Sequence, residues 1–434
     1  AVIILSPFLG SILYFFFGVN RVSRRWRRLK LLGFREAHSF FTQEHLEPLQ
    51  RDFDTRLGDE ISPFSMVDGN RIEMLKGGAM AYPAMLEAIQ NAKRSIVMQT
   101  YIFDSGKVGD QFLNALGDAV QRGVQVRVLI DRVGSLYSKS IVHKTLKEKG
   151  VKTAFFDDSS KDLRLPNANL RNHRKILVVD NQVGFMGGMN IRDSFALPPT
   201  DPGFAMDTHF KLTGPITDQL QGVFAQDWFF TTREELPAEL WQKEESVLES
   251  ENPAALRVIP SEPDYEGSAN LLAVINNITR AKKSIMIQSA YFLPVSEMLF
   301  ALRLAAMRGV QVDLLMPGKS NLFFVDLAAM GQLNHLAASG CNIWQMQEHF
   351  NHSKLMVVDD NYAYVGSSNM DARSLRLNFE VDLEVLNAKL VNELAEGMRH
   401  SIANSTRVSL QDLRERPFIK RFVSRLVWLF SPYL

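Results

Sequence analysis

Histidine and lysine recur at one spacing in two places along this 434-residue chain. His173, Lys175 and Asp180 form an H-x-K-x-x-x-x-D pattern, and His352, Lys354 and Asp359 repeat it. Each copy is followed by glycine and asparagine at matching distances: Gly187 and Asn190, then Gly366 and Asn369. A duplicated pattern is far more specific than a lone motif. The residue types suit phosphate chemistry. The runs after the lysines are rich in β-formers, and on a strand residues i and i+2 point to one face. Histidine and lysine of each copy should therefore project together. An imidazole can attack a phosphodiester while an adjacent ammonium neutralises the phosphate charge.

Asp180 and Asp359 complete the motif and stand among its candidate catalytic residues. Seven residues of extended chain, however, span about 23 Å. The spacing reads them as turn-closing, so the carboxylates that orient the imidazoles must come from elsewhere. Asp207 and Glu380 are the candidates, because they occupy like places in AMDTHFKL and NFEVDLEV, each opening a short alternating strand. A carboxylate on one imidazole nitrogen sets the tautomer and leaves the other nitrogen free to attack. Asn190 and Asn369 are candidate donors to phosphate oxygens, with turn capping as the alternative.

Positioning two such motifs requires two similar scaffolds, and the chain repeats itself. AKRSI (92–96) matches AKKSI (281–285), RGVQV (122–126) recurs at 308–312, and HRKILVVD (173–180) matches HSKLMVVD (352–359). In both copies a helix, an apolar strand, an amphipathic helix ending at Gly123 or Gly309, and another strand precede the motif. Strands alternating with helices predict an α/β sheet with helices on its faces. Copies this long imply a duplicated domain, not an array. The halves are placed at 61–250 and 251–415, joined near 244–255.

Net charge is +1, but it is unevenly distributed. Residues 1–35 carry +7, residues 416–434 carry +4, and the stretch between them is left at −10. So acidic a core argues against a nucleic-acid protein. Residues 1–20 contain no charge, enough for a helix of about 30 Å, and Arg21 to Lys30 follow at once. This predicts a transmembrane helix, a basic juxtamembrane segment over 21–60, and catalytic halves on the cytoplasmic side; a buried core helix is the alternative. Residues 416–434 place Phe418, Phe422, Leu426 and Phe430 at four-residue spacing among basic residues. They read as an amphipathic helix on a membrane surface, or as a terminal helix docked on the core. The single cysteine, Cys341, excludes an intrachain disulfide and fits a reducing compartment.

Other residues carry weaker signals. Tyr101 and Tyr291 lie in matched strands and read as core, and Asp227 and Trp228 in LQGVFAQDWFF read as packing. His143, His209, His335 and His349 read as structural, although His209 lies two residues from Asp207. The proline-rich run 197–204 reads as a loop near the site that could act as a lid. No group of Asp, Glu and His has metal-ligand spacing, so no metal and no cofactor are expected.

With both motifs in view, residues 61–415 resemble the phospholipase D superfamily. Within it, GGMN (187–190), GSSNMDARS (366–374), NFE (378–380) and the apolar and basic N-terminus look most like the bacterial cardiolipin synthases. The resemblance implies two tandem α/β/α sandwich domains packed as a pseudo-two-fold dimer that share one site. It implies phosphatidyl transfer from one phosphatidylglycerol to another through a phosphatidyl-histidine, with cardiolipin as product at the bacterial inner membrane. By that analogy His173 is the nucleophile and His352 the acid and base. A homo-oligomer is compatible with this pattern. The close rival is a hydrolytic phospholipase D that releases phosphatidic acid. A phosphatidylserine synthase, a nuclease and an inactive membrane scaffold are more distant ones.

Overall fold

The computed structural model describes residues 56–136, 141–156, 171–243, 252–263 and 268–429. The predicted transmembrane stretch lies outside these residues. Among the described residues no helix is long and apolar enough to cross a membrane.

One mixed sheet of sixteen strands runs through both halves. Its centre is an antiparallel pair, Val67–Lys76 against Ala254–Ser261, with Val67 opposite Leu256. Outward from Val67–Lys76 lie Thr208–Thr213, Val183–Gly187, Ile176–Val179, Ser95–Thr100, Gln125–Asp131 and Lys152–Phe156. Outward from Ala254–Ser261 the same sequence of roles recurs in Asn378–Leu386, Tyr362–Gly366, Leu355–Val358, Ser284–Gln288, Gln311–Pro317 and Asn342–Met346. Ser405–Arg407 adds an edge strand to the second half. The predicted joint is thus shorter than expected: Ala254 and Ala255 already belong to the central strand.

The sheet is covered on both faces, which explains why its strands read as continuous apolar runs. Ile176–Val179 and Leu355–Val358 are buried at every residue. Asn378–Leu386 was expected to alternate, but it is buried from Asn378 to Val385, because it lies near the sheet centre between two apolar layers. One core, including Phe210, Trp228, Phe379 and Leu394, spans the two halves. Two others, one per half, fill the opposite face. Helices Lys107–Gln121 and Ser296–Met307 make the crossovers between parallel strands. Gly123 and Gly309 follow them at φ 88° and 90°, the left-handed geometry that lets the chain turn back.

Asp180 and Asp359 stand at the far end of the motif strands. Asp180–Asn181 and Asp359–Asp360 all have φ between 52° and 55°, as the central residues of a type I′ turn require, and Gln182 N and Asn361 N close these turns on Val179 O and Val358 O. The Asp180 carboxylate accepts from the amides of Lys93, Arg94 and Ser95 at 2.8–2.9 Å. Asp359 accepts from Lys282, Lys283 and Ser284. Each aspartate thus clamps the start of the neighbouring antiparallel strand instead of joining the histidine and lysine of its own motif. Asp180→Ala leaves three amides without this acceptor, and urea denaturation should show a loss of about 1–3 kcal/mol.

Candidate active site

The site is made by an exchange of short strands between the halves. Before its own motif, the first half sends Arg171–Asn172 to pair in parallel with Asn378 and Phe379 of the second. The second half sends Phe350–Asn351 to pair in parallel with Ala205 and Met206 of the first. The His-x-Lys residues therefore lie in a three-residue link between this exchanged strand and the main sheet. The expected placement on a strand is corrected: the chain leaves the neighbouring half only after the histidine, whose amide is still bonded across. His173 N donates to Phe379 O at 2.8 Å, and His352 N donates to Met206 O at 2.7 Å.

That register delivers each imidazole to a carboxylate of the other half. His173 Nδ1 lies 3.0 Å from Glu380 Oε2, and His352 Nδ1 lies 2.7 Å from Asp207 Oδ2. Both carboxylates are fully buried. Glu380 also accepts from Ser367 Oγ at 2.6 Å and from Asn378 Nδ2 at 3.0 Å. Asp207 accepts from its neighbouring amide, Thr208 N, at 2.7 Å. A Cβ at Gly188 would stand 2.5 Å from Asp207 Oδ1, so that glycine makes room for the carboxylate. With Nδ1–H donated to the acid, Nε2 of each ring carries the lone pair.

The lysines complete a strongly charged, dry centre. Lys175 Nζ donates to His173 O at 2.5 Å, and Lys354 Nζ donates to His352 O. Burial pushes the Lys175 ammonium down to about 7 and that of Lys354 down to about 8, with Glu380 and Asp207 opposing the fall. Burial, then Lys175 and Lys354, hold His173 well below the usual imidazole value. Burial, then Lys354, bring His352 down to about 4. Burial would raise the Asp207 carboxyl, but Lys354 and His352 hold it below its usual value. Burial raises that of Glu380. Burial thus disfavours positive charge at this centre, and an entering phosphodiester anion would reverse that.

Several residues that read as structural in the sequence belong to this centre. The Tyr101 ring packs edge-on to His173 at 5.1 Å, and the Tyr291 ring edge-on to His352 at 6.0 Å. Arg171 Nη1 donates to Tyr101 Oη at 3.0 Å. Asp227 is not simple packing: its carboxylate accepts from Arg174 Nη1 at 2.8 Å, Gln99 Nε2 at 2.6 Å and Asn172 Nδ2 at 2.9 Å, all buried. Arg174 also donates to Glu380 O at 2.9 Å, tying the motif to the opposite carboxylate strand. An acid set among apolar and aromatic residues late in its helix could have signalled this, since a buried charge needs a partner. Asn190 Oδ1 accepts from Ile102 N at 3.1 Å, and Asn369 is buried beside the second motif's glycine turn. His209 is buried, and burial brings it down to about 4. The run 197–204 ends with the Phe204 ring 5.0 Å from that of His349, next to the exchanged strand Phe350–Asn351.

The two halves are not equivalent behind the motifs. Where the first half has Arg174, the second has Ser353, and at the offset that relates Asp207 to Glu380, His400 takes the place of Asp227. Ser353 Oγ bonds Thr208 Oγ1 at 2.9 Å. A cavity of about 270 Å³ adjoins them, its walls including Gln288, Asn351, Ser353, Leu355 and His400.

Comparison with known proteins follows this geometry. The family model described as "Cardiolipin synthase, PLD-like domain" matches residues 85–228 and 274–402. Cardiolipin synthase 1 of Bacillus cereus is 31% identical over 100% of this chain and 88% of its own. The cardiolipin synthase of Geobacillus thermodenitrificans is 32% identical over 99% and 86%. Among solved structures, the phosphatidylserine synthase of Haemophilus influenzae superposes with a TM-score of 0.66, covering 88% of this chain and 99% of its own, at 13% identity. That last likeness is one of fold alone.

The paired geometry has a direct spectroscopic test. In selectively ¹⁵N-histidine-labelled protein, His352 should stay neutral with its proton on Nδ1 until the pH approaches about 4. Asp207→Asn removes the charge that favours the imidazolium, so it should lower the titration point further. Ordinary titration near 6.5 in the wild type would contradict the burial of this ring beside Lys354.

Proposed function

The chain belongs to the cardiolipin synthase family with phospholipase D-like domains, and from that membership we propose that its two histidines carry a two-step phosphatidyl transfer between phosphatidylglycerol molecules. The observation that carries the reading is the crossed pairing of His173 with Glu380 and His352 with Asp207 around two buried lysines.

His173 Nε2 attacks the phosphorus of the first phosphatidylglycerol as the bond from phosphorus to the glycerol oxygen breaks. His352, which takes up a proton from water once the phosphodiester anion has entered beside it, passes that proton to the leaving oxygen, and glycerol departs. The phosphatidyl group now sits on His173, and His352 is neutral. It takes the proton from a hydroxyl of the second phosphatidylglycerol, whose oxygen displaces His173 from phosphorus. Cardiolipin is released and both histidines return to their starting states. One phosphodiester replaces another, so no external energy source enters the balance.

The electrostatics support this division of labour. Asp207, held as a carboxylate 2.7 Å from His352, favours the imidazolium that an acid must become. His173, whose proton affinity is depressed by burial and two lysines, stays a free nucleophile. Lys175 and Lys354 receive the phosphate oxygens and stabilise the charge that builds on them. Asn190 and Asn369 stand as further donors at its edge. Asp180 and Asp359 serve the scaffold. The uncharged stretch 1–20, followed by its arginines, supports an enzyme anchored in the bacterial inner membrane with both halves on the cytoplasmic side.

Purified full-length protein mixed with phosphatidylglycerol vesicles and no nucleotide should yield cardiolipin and free glycerol in equal amounts. Phosphatidic acid as the main product would instead make water the acceptor and the chain a hydrolase. His173→Ala and His352→Ala should each lower turnover by about 10²–10⁴, whereas folded Asp180→Ala should keep it. Alkaline loss of kcat/KM is expected as Lys175 and Lys354 shed their protons across about 7 to about 8. A flat profile over that range would remove the lysines from phosphate binding.

A further inference from the structure

The second half exposes aromatic side chains beside the mouth of the site. Helix Phe323–Ala338 opens with Phe323 and Phe324, 70% and 61% exposed, after an exposed Leu322. Asn321, just before them, accepts through Oδ1 from Tyr291 Oη at 2.6 Å. Tyr291 in turn packs edge-on to His352. The aromatic pair therefore lies within three residues of a side chain that holds a wall of the site.

The C-terminal helix Phe418–Trp428 extends this surface. It docks on Phe323–Ala338 through buried Ser424, whose carbonyl lies close to Gly331. Val427 and Trp428 pack near Leu293, Ala328 and Ala329. Both alternatives raised by the sequence therefore meet in one helix: it is docked on the core, and its apolar stripe still faces outward. Phe418, Phe422 and Leu426 are 75%, 58% and 47% exposed. Lys420, Arg421 and Arg425 are exposed beside them, and no acid occurs in residues 416–429.

On Phe418–Trp428 the aromatic and aliphatic stripe is bordered only by cations, which matches an anionic lipid surface: the rings enter the acyl boundary and the cations meet the phosphates. A water-filled groove or an acidic protein partner would not call for aromatic rings on two separate elements at the rim of a lipid site. We propose that Leu322–Phe324 and the outer face of Phe418–Trp428 form one docking surface for an anionic bilayer. It seats the mouth of the site on the membrane, so that a phospholipid enters without crossing water. The proposal rests on the lipid-transfer reading for its purpose, but not for its test.

Phe324→Cys and Phe422→Cys in the full chain are labelled with an environment-sensitive fluorophore, with unsubstituted protein as the blank for buried Cys341. In liposomes of phosphatidylglycerol and phosphatidylcholine, both labels should emit at shorter wavelength and be quenched by lipids carrying the quencher in the acyl chain. Water-like, unquenched emission at both positions overturns the proposal. So does a blue shift that follows protein concentration and not lipid, which would assign the face to a second copy. In parallel, the Phe324→Ser, Phe422→Ser variant should turn over vesicle phosphatidylglycerol at least tenfold more slowly, yet match the wild type on dispersed short-chain substrate. Equal rates on vesicles count against the surface. A wild-type protein with lipid-buried labels but no cardiolipin would refute the transferase and keep the docking surface. An active protein with water-like labels would do the reverse.

Discussion

Burying four cationic or basic side chains in one place is unfavourable unless each finds opposite charge, and here that charge comes from the other half of the molecule. His173 and Lys175 face Glu380, and His352 and Lys354 face Asp207. Neither half contains a satisfied site by itself. The exchanged strands Arg171–Asn172 and Phe350–Asn351 make this crossing obligatory, since they bond the histidine amides to the partner's carboxylate strand. The continuous sheet and the core shared by both halves then hold the two partners at hydrogen-bond distance. Catalytic geometry and the docking of the halves are therefore one physical problem with one solution.

Near symmetry suits a reaction whose two steps are chemically alike, and the departures from symmetry suit the different work proposed for the two histidines. The first half locks its motif from behind with the buried Arg174–Asp227 pair, which also grips the Glu380 strand. A buried pair of this kind is costly to break but adds little net stability over apolar packing. Its value is conformational. The second half substitutes a hydroxyl bond, Ser353 to Thr208, and leaves a cavity. Glutamate on one side and aspartate on the other also set different reaches to the two rings. In the proposed transfer, the imidazole whose motif is backed by the Arg174–Asp227 pair is the one that forms and breaks a covalent bond to phosphorus.

Access follows from the same architecture. Polar chemistry sits at the junction of the halves, while the outer helices of the second half turn aromatic side chains to the exterior near Tyr291. A site that handles amphiphiles needs such a boundary, with a dry charged centre for the headgroup and an apolar margin for the chains.

Much of this was legible in the sequence. The duplicated H-x-K-x-x-x-x-D pattern, the α/β order of elements, the glycine caps at Gly123 and Gly309, and the choice of Asp207 and Glu380 all follow from spacing and local propensity, which act over a few residues. Asp180 and Asp359 belong to the motif and stand among its candidate catalytic residues, while chain length reads them as turn-closing, the place where the structure puts them. Tertiary structure decided which carboxylate serves which histidine, because strand exchange between the halves pairs residues 207 and 145 apart in sequence and leaves no local trace. It also drew Tyr101, Tyr291 and Asp227 into the site. In the sequence they look like core residues, and Tyr101 and Asp227 are buried as core residues are, while Tyr291 is half-buried. Burial and function coincide there because the reaction needs a dry, charged centre, and only the packing of the two halves creates one.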